Sequence, residues 1–148
     1  MRRSLVIVSM LLMFSISGVF AQKGDAILGT WLNQDEDAKI VITKVDSKFT
    51  GKIIWVKKDE EDDGSKPNLD NNNPDESLQS RRVVGLEILS NLVWDEGDNE
   101  WDDGEIYDPK SGSTYSCYGE LEDKNTLKLR GYVGISIIGR TAVWTKVK

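Results

Sequence analysis

The feature that most constrains this chain is the absence of a sustained helical period. From Leu28 to Val147 the apolar residues recur in short, roughly alternating runs, each cut off by Gly, Pro, Asn or Asp. Such runs bury their apolar faces only by pairing side by side. LGTWLN (28–33), AKIVITKV (38–45), KFTGKIIWVK (48–57), GLEILSNLVW (85–94), GEIYD (104–108), STYSCYGEL (113–121), TLKLRGYV (126–133) and RTAVWTKV (140–147) read as strands. On the third, Phe49, Gly51, Ile53 and Trp55 are expected on one face. On the seventh, Leu127, Leu129, Gly131 and Val133 face inward, which sends Lys128, Arg130 and Tyr132 outward. Pro109-Lys110-Ser111-Gly112 has the composition of a tight hairpin loop. Only 58–80, charged and Asn-rich, departs from the pattern and reads as one long loop. The expected fold is all-β: a single antiparallel up-and-down β-barrel of about eight strands. A sandwich is the competing architecture, disfavoured because the connections are local hairpins.

The barrel does not include the first residues. Arg2 and Arg3 precede an apolar run from Leu5 to Phe20 that ends in Val19-Phe20-Ala21, the layout of a secretory signal peptide with cleavage after Ala21. The run is shorter than the roughly 20 residues of a spanning helix. Two segments follow: 1–21, a signal peptide, and 22–148, the barrel domain. The expected location is outside the cytoplasm, periplasmic or secreted.

Loss of Arg2 and Arg3 leaves 17 basic against 25 acidic side chains, a net charge of −8. That charge repels phosphate and argues against nucleic acid and anionic lipid as partners. No histidine is present, which removes His-based triads and His metal ligands. Cys117 is the only cysteine, so no internal disulfide forms and packing must hold the fold. Tyr115, Cys117 and Gly119 share a strand face, where Cys117 acts as a small apolar group. No cofactor is implied.

Several motifs carry a resemblance. Gly29-Thr30-Trp31 opens the first strand with a G-x-W that resembles the signature of the calycin superfamily. There the Trp plugs the closed end and a basic residue packs across it, a part that Arg140 or Lys146 would play. A more specific set runs in order through GTW (29–31), FTGKI (49–53), D-x-x-NPD (70–75), R-x-x-x-GLEIL (81–89), W-x-x-GEIYDPKSG-x-TY (101–115) and LRGYVGISIIGRTAVWTKV (129–147). It resembles the exported bacterial family called domain of unknown function 2147, which implies a lipocalin-like barrel and export but no established activity. Gln79 and Arg82 depart from the pattern expected there, and the Asp59–Asp63 acid run is this protein's own addition. The first hairpin also resembles avidin, with Asn33 in the place of a biotin contact.

Two parts of the long loop offer chemistry. Asp59, Glu61, Asp63, Gly64 and Asp70 fall on positions 1, 3, 5, 6 and 12 of an EF-hand loop. Lys66 at position 8, the short Asp70 and the preceding strand spoil the match, and no metal site is assigned. In the second part, Asn73, Asp75 and Arg81 would be offered to a ligand if the loop covers the barrel mouth. The alternative is loop architecture, with Arg81 paired to Asp70 or Asp75. From the aromatic set, Trp31, Tyr107, Tyr115 and Trp144 are candidate ligand contacts. The reading is non-catalytic binding of a small, partly apolar molecule. The alternatives are an envelope interaction module with a filled barrel, its 58–82 loop meeting a protein partner of unknown identity or binding calcium weakly at 59–70, and a carboxylate-based hydrolase.

Overall fold

The computed structural model describes residues 23–57, 67–135 and 139–148. The leader at 1–21 and the acid run at 59–63 lie outside them. Eight strands follow in order: β1 Gly29–Leu32, β2 Ala38–Val45, β3 Lys48–Val56, β4 Glu87–Asp95, β5 Glu100–Asp108, β6 Ser113–Asp123, β7 Thr126–Tyr132 and β8 Gly139–Lys146. Each pairs antiparallel with its sequence neighbour, and β1 closes on β8 through Trp31↔Lys146 and Leu32↔Thr145. The result is the closed up-and-down barrel that the alternation requires, without a free sheet edge.

The inward set is apolar. Ile40, Ile42, Phe49, Ile53, Leu89, Leu92, Trp101, Cys117, Leu127, Leu129 and Trp144 are buried together. Gly104 shows how closely they pack. A Cβ there would lie 2.5 Å from Leu92 Cδ2 and 2.9 Å from Cys117 Sγ. At that level side chains fill the lumen. Arg130 faces out, as its strand alternation predicts, and donates to Thr141 Oγ1 at 3.1 Å.

One end is sealed by a short 3-10 turn, Asp25–Ile27. The Trp31 indole N–H donates to Ile27 O at 2.8 Å, and that of Trp101 donates to Gly24 O at 3.0 Å. Of the two basic candidates, Lys146 lies over the Trp31 ring, 5.1 Å from its centroid, and donates to Ala26 O at 3.2 Å. Arg140, paired with Gly131, is at the other end of β8.

Three local expectations change. Val133, expected inward with Leu129, is 68% exposed, because β7 ends at Tyr132 and the chain turns at Gly134 (φ 77°). Trp55 leaves the face it was expected to share with Ile53. A register shift between Lys39 and Ile40 sets Trp55 opposite Lys39, whose ammonium lies 5.0 Å from its ring centroid. Val56, opposite Ala38, packs on the core instead. β5 begins at Glu100 rather than Gly104. Asp103, at φ 59°, absorbs an irregularity between Trp101 and Gly104, so the strand continues through an acidic segment.

Candidate functional site: a groove under the β3–β4 flap

The described part of the β3–β4 connection, 67–86, folds back on itself. Val83 N donates to Asn68 O at 2.8 Å, and Asp70 N donates to Arg81 O at 3.0 Å. Its base is tied to β3, with Ile53 N donating to Leu86 O and Gly85 N to Ile53 O. The tip is shaped by its Asn and Asp side chains, as the Asn-Pro-Asp sequence favours. Asn73 Oδ1 accepts from Asp75 N at 2.9 Å, and Asp75 Oδ1 accepts from Ser77 N at 3.0 Å and Ser77 Oγ at 2.6 Å. The flap also grips the β5–β6 hairpin. Asn72 Nδ2 donates to Lys110 O at 2.9 Å, and the Asn72 carbonyl occupies the space a side chain at Gly112 would need.

Asp70 anchors the flap. Its side chain is wholly inaccessible to solvent. Oδ1 accepts from Tyr107 OH at 2.5 Å. Oδ2 accepts from Asn73 Nδ2 at 2.9 Å, from Arg81 Nε at 3.0 Å and from Arg81 Nη2 at 3.0 Å. Burial alone would raise this carboxyl, but the donors from Tyr107, Asn73 and Arg81 outweigh it and hold it below the usual range. The Tyr107 phenol is pushed up, by its burial and then by the carboxylate it serves. Arg81 therefore pairs with Asp70. Asp75 caps the Glu76–Leu78 turn, and the hydrogen bonds from Ser77 keep its carboxyl low. Asp70 does not present itself as a free twelfth ligand of a calcium loop, because both its oxygens are engaged. The other residues of that reading, Asp59 to Gly64, lie outside the described residues.

The flap lies on the outer wall of the barrel rather than across its mouth. Leu89, Ile106 and Tyr115 are register partners on the lumen face. Their strand neighbours Ser90, Glu105, Tyr107 and Thr114 therefore point outward. Between that wall and the flap runs a groove of about 290 Å³, lined by Asn73, Pro74 and Arg81 from the flap and Glu87, Ile88, Ser90, Glu105, Tyr107 and Thr114 from the wall.

The structure brings three of the seven candidate residues, Asn73, Arg81 and Tyr107, to this groove. Asp75 is exposed on the flap beside it. Tyr115 faces the lumen, close to Gly131. Trp31 and Trp144 are buried in the core, 0% and 4% exposed. Glu87, Ile88, Ser90, Glu105 and Thr114 were missed from sequence. Alternation turns Ile88, Ser90, Glu105 and Thr114 outward, and Glu87 joins them through the register shift that sets it opposite Lys52, but nothing in the pattern says that a distant loop covers them.

Other polar features have structural roles. Asn33 Oδ1 accepts from Asp37 N and Ala38 N, both at 2.9 Å, so its side chain forms the β1–β2 turn. The Cys117 thiol is pushed up to about 12 by burial and by the charge of Glu105, which leaves it an inert protonated group. Asp95, Asp98 and Asp102 bring carboxylate oxygens within 4.8 Å of one another at the β4–β5 turn. There Asp95 Oδ1 accepts from Gly97 N at 2.7 Å, and Asp102 is raised by burial and by its acidic neighbours.

A closed eight-strand antiparallel barrel, capped by a 3-10 turn and with a lysine over its first-strand Trp, is a lipocalin-like barrel. A solved structure described as "Protein HP1028 from the human pathogen Helicobacter pylori belongs to the lipocalin family" shares this fold, with a TM-score of 0.69 and 22% identity over 82% of this chain and 83% of that one. The family model described as "Uncharacterized protein conserved in bacteria (DUF2147)" matches residues 29–146, and the chain belongs to that family. No curated protein matches it.

Proposed function

We propose that this protein is a non-catalytic binder of a small, partly apolar molecule, and that the molecule sits in the flap groove rather than in the lumen. The carrying observation is the groove itself. It combines apolar surface from Ile88 on the wall and Pro74 on the flap with hydroxyl, amide and charged groups from the same two elements. The packing of Leu92, Cys117 and Gly104 across the lumen supports the same choice of site. A binding role, rather than a catalytic one, is supported by the buried, protonated Cys117 and by a sequence without histidine. The proposal also places the protein outside the cytoplasm, on the strength of its first 21 residues.

The test is an NMR titration with a chemically mixed fragment set. Binding fragments are expected to shift the amides of Ser90, Glu105, Tyr107 and Thr114. A Thr114→Trp variant, which fills the groove from the wall, should abolish those shifts while leaving the barrel folded. Shifts concentrated on lumen residues such as Leu129 and Ala142, or no shifts at all, would overturn the reading. A second reading, an interaction module with a filled barrel, is favoured by the exposed Val133 and Ile135 beyond β7, 68% and 57% accessible. It predicts that fragments leave the groove untouched.

A further inference from the structure

The groove's lining contains one cation and two anions, but these charges are not equally available. Arg81 is already neutralised. Its Nε and Nη2 both lie 3.0 Å from Oδ2 of Asp70, a carboxylate with no access to water. An incoming anion would have to share Arg81 with that buried carboxylate. Withdrawing the guanidinium would leave an unpaired charge stranded inside the flap.

The two acids are placed differently. Glu87 and Glu105 are exposed wall residues, and neither forms an ion pair among the described residues. Glu105 has a single weak contact, from the Asn91 amide at 3.4 Å. Across the register from Glu87 stands Lys52, yet no bridge joins them among the described residues. With Arg81 and Asp70 cancelling, the lining keeps two carboxylates that form no ion pair among the described residues, on a chain that is itself acidic.

Around these acids the surface is suited to hydrocarbon. Ile88 is 8% exposed and forms the floor, with Pro74 on the flap side. The Tyr107 ring stands in the wall with its hydroxyl directed to Asp70, so the ring contributes an aromatic surface rather than a free donor. Ser90 and Thr114 supply neutral hydroxyls.

We infer that the groove selects a small organic cation: a molecule with a protonated amine, set against Glu87 and Glu105, and a short aliphatic or aromatic body lying over Ile88, Pro74 and the Tyr107 ring. This inference rests on the groove being the binding site, and it adds the ligand's charge and shape. Binding should weaken with salt, because an exposed carboxylate–ammonium pair is screened while the apolar contact is not.

Three probes of matched shape separate the charge from the site: phenethylammonium, 2-phenylethanol and 3-phenylpropionate. Each is titrated into the full barrel and followed by the amide shifts of Ser90, Glu105 and Thr114. The amine is expected to bind at least ten-fold more tightly than the alcohol, and the carboxylate more weakly than either. A Glu87→Gln, Glu105→Gln double variant should bring the amine's affinity down to that of the alcohol. Both substitutions are exposed and conserve shape, so the fold is retained. Equal binding of amine and alcohol would overturn the charge inference and leave the site standing. Tighter binding of the carboxylate would overturn it in favour of Arg81. If none of the three shifts the groove, the inference and the site fall together.

Discussion

Replacing Tyr107 by Phe removes one oxygen and tests the whole account of the flap. In the native fold that hydroxyl is the donor to Oδ1 of Asp70, at 2.5 Å. The remaining donors, from Asn73 and Arg81, all serve Oδ2. Tyr107→Phe therefore leaves one oxygen of a fully buried carboxylate without its donor. Hydrogen bonds to charged groups contribute about 1.5–3 kcal/mol, so a loss of about 2 kcal/mol is expected at neutral pH. For a domain of this size that corresponds to a melting temperature lowered by roughly 6–10 °C. The pH dependence has a definite sign. Asp70 is depressed in the fold, so its contribution is fully present above the unfolded carboxylate value of about 3.9 and is lost as pH falls through the folded value. The variant moves the folded value back towards ordinary. The gap in stability between wild type and variant should therefore be widest at pH 7 and close progressively towards pH 3. Urea denaturation of both proteins at pH 7, 5 and 3 measures it. A cost below about 0.5 kcal/mol at pH 7, or a gap that stays constant down to pH 3, would refute the argument that Tyr107 holds this charge.

Two further substitutions test the packed lumen. Gly104→Ala places a methyl against Leu92 and Cys117, and overpacking of this kind should cost about 1–3 kcal/mol in urea denaturation; an unchanged midpoint would show that the lumen has room. Cys117→Ser puts a hydroxyl in an apolar site and should cost about 1–3 kcal/mol, while the native thiol resists a thiol reagent at pH 8 until the protein is unfolded; rapid labelling of the folded protein would contradict the burial.

Period-two alternation was enough to find all eight strands and most of the inward set, such as Phe49, Ile53, Leu127 and Leu129, because each strand must turn one face to the lumen whatever its neighbours do. It failed where register is decided between strands. Trp55 reads as inward on its own strand, and only the shift at Lys39 turns it out. The flap shows the same limit on a larger scale. Polar, Asn-rich composition marks 58–80 as loop, but the wall it lands on depends on Tyr107 meeting Asp70, two residues separated by 37 positions. An acid in such a loop reads as solvated. It is buried because a phenol, an amide and a guanidinium converge on it from different places in the chain.

The groove is built from two parts of unequal stability. Its wall belongs to the β4–β6 ladder of the closed barrel. Its other side is rooted by Val83 and Leu86 in the core, while its tip is held against that wall through one carboxylate and the Asn72 grip on the hairpin. A molecule touching both sides is therefore coupled to the flap. It adds stability to the closed arrangement by mass action, and variants that loosen Asp70 should weaken binding before they unfold the strands. Tyr107 belongs to both parts, with its ring in the wall and its hydroxyl on the flap's anchor, so it is the residue through which a molecule bound in the groove would be linked to the flap.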